Sequence, residues 1–262
     1  MKADDRIRII PAEKEDAGEL AKMSKKAFDS DIEVGAPGPG GPPGYDSSEA
    51  QIRFMKFLEY FKILSDDKTV GGIMVGSAGN KHKVLERIFV DPAFHRKGIG
   101  TQACELLWEC YPGVALWTLG TPEWNVRTKL FYEKLGFIQV GWDLGDPDWR
   151  GRWYQRIADT SSTYEMLKVG DLRDGMRNVT VEGEVIEKSE PRQVRSRRGE
   201  PLTVSNAAIE DETGRTVLVL WNEQIGWVKE GDRIRVENGY TRSYMKVIQL
   251  NVGRMGRLIL LI

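Results

Sequence analysis

The chain of 262 residues carries 38 Lys and Arg against 39 Asp and Glu, and 40% of its residues are apolar. This length is typical of two domains, and the composition excludes a low-complexity or disordered chain. The net charge of -1 excludes polyanion binding driven by bulk charge. No apolar run approaches the roughly 20 residues of a membrane span, and the start lacks the apolar segment of a secretory signal, so we expect a soluble, cytoplasmic protein.

The predicted elements of the first 158 residues alternate between strands and amphipathic helices. In chain order they are a strand (Arg6–Ile10), two helices (Glu13–Phe28, Ser48–Lys62), two strands (Thr69–Ser77, Val84–Val90), a helix (Gly100–Cys110), a strand (Val114–Leu119), a helix (Asn125–Lys134) and a strand (Phe137–Trp142). The Gly- and Pro-rich stretch Val34–Gly44 excludes regular structure.

The remaining chain shows short alternating strands separated by turn residues, which predicts a small barrel of about five strands. A polar stretch without periodicity, Ala158–Thr163, suits a linker. The sequence therefore predicts a first domain of the α/β or α+β class at 1–158, a linker at 159–167 and an all-β barrel domain at 168–262.

Cysteine and histidine are scarce. Cys104 and Cys110 are the only cysteines, and His82 and His95 are the only histidines. These are too few for a structural zinc site or a disulfide framework, so we expect no metal.

The most specific segment is Leu85–Gln102, which predicts a buried strand, a short loop with two glycines and the start of a helix. Backbone amides at such a turn, together with the helix dipole and the flanking Arg96 and Lys97, favour a diphosphate. Gly98 and Gly100 allow close approach of the backbone. The alternative is an ordinary strand-to-helix turn, and the glycine spacing matches neither a Walker loop nor a dinucleotide fingerprint.

This segment resembles motif A of the GNAT family of N-acetyltransferases over His95–Gly100. Two further stretches, Trp117–Asn125 and Leu130–Phe137, are similar to the second conserved region of that family. The resemblance implies a mixed sheet flanked by helices and acetyl-CoA as cofactor. One position departs from the family, because His95 stands where Gln or Arg is usual.

The resemblance also implies which residues contact acetyl-CoA. The implied contacts are the strand that pairs with the pantetheine, the diphosphate loop and one residue of the second motif: Ile88, Phe89, Val90, His95, Arg96, Lys97, Gly98, Ile99, Gly100, Thr101 and Asn125.

Two residues are candidates for catalysis. Glu86 resembles the family's general base, which removes the amine proton; the alternative is a solvated strand charge paired with Arg87. Tyr132 matches the proton donor to the departing thiolate; the alternative is a buried aromatic behind Gly136. Tyr45 and Asp46 at the end of the Gly/Pro stretch could face a cationic amine, but a flexible connector predicts the same composition, and we favour the connector.

Residues 168–255 resemble the OB-fold of archaeal single-stranded-DNA-binding proteins. The matching stretches are Lys168–Leu172, Val179–Glu187, Glu210–Trp221, Val228–Asp232, Glu237–Tyr240 and Gln249–Gly253. In this family single strands stack on exposed aromatics and cations line the backbone groove. The implied nucleic-acid residues are Trp221, Tyr240, Tyr244, Arg192, Arg195, Arg197 and Arg198. The alternative is a solvated basic loop with three ordinary barrel aromatics, and Lys246 replaces a Gly usual in the family.

The leading hypothesis is an acetyl-CoA-dependent N-acetyltransferase that acts on a primary amine of a protein or small molecule and carries a domain binding single-stranded DNA or RNA. The alternative is a non-catalytic, CoA-binding adaptor that binds the same nucleic acids. The apolar run Leu258–Ile262 predicts docking on the protein itself or on a second copy, which leaves a homodimer open.

Overall fold

The computed structural model describes residues 7–145, 151–158, 166–196 and 198–262. The chain divides into two units, and each unit consists of segments that are separated in sequence. The first comprises Met1–Ser77, Lys81–Ile138 and Gln155–Ala158, and the second comprises Ala78–Asn80, Gln139–Tyr154 and Asp159–Ile262. The second unit thus includes residues 139–154, which lie before the proposed linker. Residues 159–165 of that linker lie outside the described residues.

The first unit is built on five neighbouring strands, which are β1 (Ile7–Pro11), β2 (Glu59–Ser65), β3 (Lys68–Gly79), β4 (His82–Val90) and β5 (Leu116–Pro122). Antiparallel pairing joins β1 to β2 and β2 to β3, whereas β4 and β5 are parallel. Its helices are α1 (Ala17–Asp29), α2 (Ser48–Phe54), α3 (Ile99–Cys110) and α4 (Val126–Lys134). The mixed sheet with helices is the fold that the resemblance implied.

The core beside α1 forms because one side of this helix is apolar. A capping box precedes the helix, in which the Glu13 amide donates to the Asp16 carboxylate at 2.8 Å. Apolar residues of α1 then pack on the sheet, and the cluster comprises Leu20, Met23, Ala27, Tyr60, Met74 and Phe89. This packing fixes α1 over the sheet beside β4.

One predicted element is wrong. The helix expected over Ser48–Lys62 ends at Phe54, and the last four residues of the predicted span, Glu59–Lys62, lie in the strand β2. Tyr60, Ile63 and Leu64 are buried there, and β2 pairs with β1 on one side and β3 on the other. Hydrogen bonding to two neighbouring strands therefore outweighs the helical periodicity of this segment.

The second unit contains a closed barrel of five strands, which are β8 (Arg177–Lys188), β10 (Pro201–Asp211), β11 (Gly214–Trp221), β12 (Arg233–Tyr244) and β13 (Val247–Asn251). Pairing runs β8–β10–β11–β13–β12 and returns to β8, with β11 and β13 parallel. A short strand, β9 (Arg192–Arg195), pairs with β10, and a one-turn helix, α5 (Gln224–Trp227), follows β11. This barrel is the OB architecture that the sequence predicted.

The second unit also contains most of β6 (Ile138–Asp143), part of β7 (Gly151–Ile157) and the last strand, β14 (Arg257–Leu261). Strand β14 pairs with β12 and also with Gly141–Asp143 of β6. The apolar run at Leu258–Ile262 therefore docks on the protein itself, one of the two expected outcomes. Among the described residues no helix is long and apolar enough to cross a bilayer.

Buried polar contacts accompany this pairing. The Trp153 indole donates to Glu237 Oε1 at 2.9 Å, and Arg257 Nη1 donates to Asp143 Oδ2 at 3.1 Å. Burial raises the pKa of Asp143, while the nearby Arg257 guanidinium opposes that rise. The Arg257 guanidinium also lies over the Trp153 ring. These bonds tie β6 and the start of β7 to β12 and β14.

Candidate functional site

The first candidate site begins where β4 and β5 separate. Their pairing covers three positions, from His82 opposite Leu116 to Val84 opposite Thr118. Beyond this point the described part of the chain shows no pairing between the two strands, although β4 continues to Val90. The backbone of the second half of β4 therefore faces an open edge that an extended ligand can pair with. Ile88, Phe89 and Val90, the expected pantetheine contacts, lie on this stretch.

The loop after β4 leads directly to the amino end of α3. Its two left-handed residues are Arg96 at φ 60° and Gly98 at φ 77°. The first bond within the helix runs from the Gln102 amide to the Gly98 carbonyl at 3.0 Å. The amides of residues 99–101 precede that bond, and no acidic residue lies in the first turn. This arrangement suits a diphosphate.

His95 stabilises this loop. Its Nε2 lies 2.8 Å from the Val90 carbonyl, which requires the ring to donate from that nitrogen. The histidine thus ties the loop back to the end of β4 with its side chain. Its departure from the usual Gln or Arg is compatible with the loop conformation.

Gly98 and Gly100 differ in their surroundings. A Cβ on Gly98 would meet none of the described atoms within 4 Å, whereas a Cβ on Gly100 would lie 3.3 Å from the Phe131 ring. Gly100 therefore allows α3 and α4 to pack, and only Gly98 stands free in front of the helix terminus.

Glu86 and Arg87 lie on β4 beside the open edge. The Glu86 carboxylate lies against Gly76 of β3, where a Cβ would be 2.7 Å from Oε1. Arg87 Nη2 donates to the Pro43 carbonyl at 2.9 Å, and its guanidinium lies over the Phe54 ring. Burial lowers the pKa of Arg87, and the charge of Glu86 opposes that fall. The hydrogen bond to Pro43 therefore directs Arg87 toward the Gly/Pro stretch, while its charge still acts on Glu86.

Tyr132 lies in α4 and is buried, in edge contact with Phe137 at a centroid distance of 5.9 Å. Burial raises the pKa of the Tyr132 phenol well above its ordinary value. The phenol therefore holds its proton throughout the neutral range, as a proton donor must before it acts.

Both polar groups of the Asn125 side chain form hydrogen bonds within the fold. Its carbonyl oxygen accepts from the Thr128 amide at 3.0 Å, which caps α4, and its amide donates to Asp31 at 3.0 Å. Arg127 also donates to Asp31. Burial raises the pKa of Asp31, while Arg127 opposes the rise. The sequence analysis did not find Asp31, which lies just after α1 and carries no motif; its role in fixing the start of α4 comes from the structure alone.

The Gly/Pro stretch is held by specific bonds. The Tyr45 hydroxyl donates to Asp29 Oδ1 at 2.9 Å, and the Gln51 amide donates to the Gly44 and Tyr45 carbonyls. Tyr45 is thus bonded within the fold, which differs from the flexible connector we expected.

The second candidate site is the outer face of β11, β13 and β12. Register places Val219, Asn251 and Tyr240 side by side across these strands. Trp221 lies two residues beyond Val219, and Tyr244 lies four beyond Tyr240, so all three candidate aromatics share this face. They are 36%, 41% and 56% exposed respectively, whereas Val219 and Asn251 on the same face are buried, as are the alternate residues Leu218 and Leu220.

The basic residues lie on the hairpin of β9 and β10. Arg192 is opposite Val204 and Arg195 is opposite Pro201, at the end nearer the turn. Both are exposed, as is Arg198 in the turn itself. Arg197 lies outside the described residues. Val204 of β10 pairs with Arg192 on one side and with Trp221 on the other, so Arg192 lies one strand away from the aromatic face.

Comparison with known proteins identifies both units. Residues 58–139 match the family model of the acetyltransferase (GNAT) domain, and residues 176–260 match that of single-stranded DNA binding protein Ssb-like, OB fold. The chain thus joins an acetyltransferase-family domain to an OB domain. Residues 58–139 are therefore a GNAT acetyltransferase domain, and residues 176–260 are an Ssb-like OB-fold domain.

Two curated relatives cover different parts of the chain. The single-stranded DNA binding protein Ssb of Saccharolobus solfataricus is 42% identical over 86 residues, which are 33% of this chain and 57% of that protein. The uncharacterized protein YrkN of Bacillus subtilis is 30% identical over 139 residues, which are 52% of this chain and 75% of YrkN. The chain therefore spans little more than half of Ssb.

Among solved structures, the PaiA N-acetyltransferase of Thermoplasma acidophilum, crystallised with coenzyme A, covers 58% of this chain and 99% of its own at 15% identity and a TM-score of 0.47. The OB domain of Ta0387 from the same organism covers 37% and 86% at 21% identity and a TM-score of 0.32.

Proposed function

We propose that this protein is an acetyl-CoA-dependent N-acetyltransferase for a primary amine, and that its barrel binds single-stranded nucleic acid. The main support for the N-acetyltransferase activity is that β4 separates from β5 directly beside the free amino end of α3. An extended thiol arm and a diphosphate are the two chemical features that such a pair of sites accommodates.

The residues present fit this cofactor. Unpaired amides at the start of α3, with Arg96 and Lys97 nearby, would hold the diphosphate, and the edge of β4 would hold the pantetheine. When bound, acetyl-CoA supplies an activated acetyl group as a thioester. The anion is favoured further because the first turn of α3 lacks acidic residues.

Two side chains then move protons. Glu86 would accept a proton from the incoming ammonium, either directly or through one water, so that the nitrogen lone pair can attack. Tyr132 would donate its phenolic proton as the thiolate leaves. General acid and base each contribute roughly 10²- to 10⁴-fold to rate in such reactions.

The test is release of free CoA thiol from acetyl-CoA in the presence of an amine panel. The panel comprises a peptide with a free α-amine, an amino-blocked peptide with one lysine, and a polyamine. We expect transfer to one of these with the wild type and a loss of at least about 100-fold in Glu86→Gln. Calorimetric binding of acetyl-CoA without transfer to any amine would instead identify the non-catalytic adaptor.

For the barrel, the carrying observation is three exposed aromatics on one face next to exposed arginines. Stacking and phosphate binding of this kind hold single strands without base-edge readout. An oligothymidylate titrated at several salt concentrations should bind with a slope in log K against log salt. Neutralising Arg192, Arg195 and Arg198 should reduce that slope by about 0.7 for each phosphate that an arginine no longer neutralises. An unchanged slope would remove the hairpin from the interface.

A further inference from the structure

Gly76 lies buried in the interior of β3, directly against Glu86. A Cβ at this position would lie 2.7 Å from Glu86 Oε1, 3.2 Å from Cγ and 3.4 Å from Cδ. The three nearest atoms all belong to Glu86. The carboxylate therefore rests against the bare backbone of β3, in space that any other residue would fill.

Backbone conformation does not explain this glycine. Gly76 is absent from the residues with positive φ, so an alanine could adopt its backbone angles. A glycine inside a strand costs stability relative to alanine. Neighbouring Gly71 and Gly72 serve a different purpose, because a Cβ on either would strike Phe89. Gly76 instead provides room for the Glu86 carboxylate.

We propose that Gly76 is a positioning residue, which holds the Glu86 carboxylate where it accepts the proton of the amine. This inference rests on the proposed transferase function. A methyl at position 76 leaves Glu86 in the chain but moves its carboxylate aside. Because a displacement of about 1 Å at a reacting group can cost about 100-fold in rate, the substitution separates the presence of the base from its placement.

The experiment is a double-mutant cycle of Gly76→Ala and Glu86→Ala, with acetyl-CoA and the amine of the panel that the wild type acetylates. We expect Gly76→Ala to lower kcat by about 10- to 100-fold while the KM for acetyl-CoA stays within about twofold. In the Glu86→Ala background the same substitution should leave kcat unchanged, because nothing remains to be displaced. Its melting temperature should rise in that background, since a strand glycine has been replaced without a clash.

Gly18→Ala, in α1, is the control for the change of glycine to alanine itself, because a Cβ on Gly18 meets none of the described atoms within 4 Å. It should leave kcat unchanged. Wild-type kcat in Gly76→Ala, or an equal loss of kcat with and without Glu86, would overturn the positioning role alone. A wild type that acetylates no amine of the panel would overturn the proposed function and this inference with it.

Discussion

Tyr132 combines a polar hydroxyl with an apolar setting. Its ring packs against Phe131 and Phe137, and burial raises the pKa of the phenol. The raised pKa keeps the phenol protonated, and it also makes the phenol a weaker acid than an exposed tyrosine. The proposed role in proton transfer and the packing role thus belong to different atoms of one side chain.

We therefore expect Tyr132→Phe to lower kcat by at least about 100-fold while acetyl-CoA affinity changes less than about threefold, because the ring packing remains. Steady-state rates and calorimetry measure the two quantities. Tyr111→Phe is the control: that hydroxyl bonds to Glu59, and its removal should affect neither quantity. Equal rates in Tyr132→Phe and wild type would leave the tyrosine a packing residue.

Trp221 and Tyr240 are two of the three candidate stacking residues. Each presents a half-exposed ring on the outer face of the barrel, so truncation should remove a stacking platform without opening the core. We expect each alanine variant to lose about 1 to 3 kcal/mol of affinity for oligothymidylate by fluorescence anisotropy. Ile186→Ala, at a similar exposure of 38%, should bind like the wild type. Duplex DNA should compete poorly, and undiminished binding in the double variant would exclude this face.

The amino end of α3 offers a test of anion binding. Gly98 stands in the left-handed region, which Asn and Asp tolerate better than other side chains. Gly98→Asp and Gly98→Asn are nearly identical in shape but differ by one charge at the helix terminus. We expect the Asp variant to bind acetyl-CoA at least about tenfold more weakly than the Asn variant in calorimetry. Equal affinities would place the diphosphate elsewhere.

The elements themselves were only partly predictable. Amphipathic periodicity located α1, α3 and α4 to within a few residues. The strand β2 was missed because its apolar residues fit a helical repeat, and only pairing on both edges, a non-local property, decides between the two.

The candidate site shows the same limit. Motif spacing indicated the loop at His95–Gly100, because consecutive residues form it. The separation of β4 from β5 depends on strand register, and the contact of Gly76 with Glu86 depends on two strands meeting. Asp31 reaches Asn125 across 94 positions of sequence. Such contacts join residues that are separated in sequence, so no local sequence pattern predicts them.

The second unit is not a single contiguous segment, 166–262. The stretch 139–154 contributes a strand beside β14 and the buried Trp153 that bonds to Glu237. We expect the fragment 166–262 to be less stable than the fragment 139–262 by about 2 to 4 kcal/mol in urea unfolding, the cost of a buried aromatic and a charged hydrogen bond. Equal stabilities would show that the barrel folds independently of that stretch.

The strands β6 and β14, which pair with each other, are made at different times during synthesis of the chain. Asp143 and Arg257 are 114 positions apart, so at about 5 to 20 residues per second a ribosome takes about 6 to 23 seconds to deliver the partner after β6 has been made. During that interval the nascent β6 presents an unpaired edge, which is open to pairing with neighbouring chains on the same messenger. We therefore expect slow codons across the barrel region to lower the yield of folded protein, because they prolong the exposure of that edge.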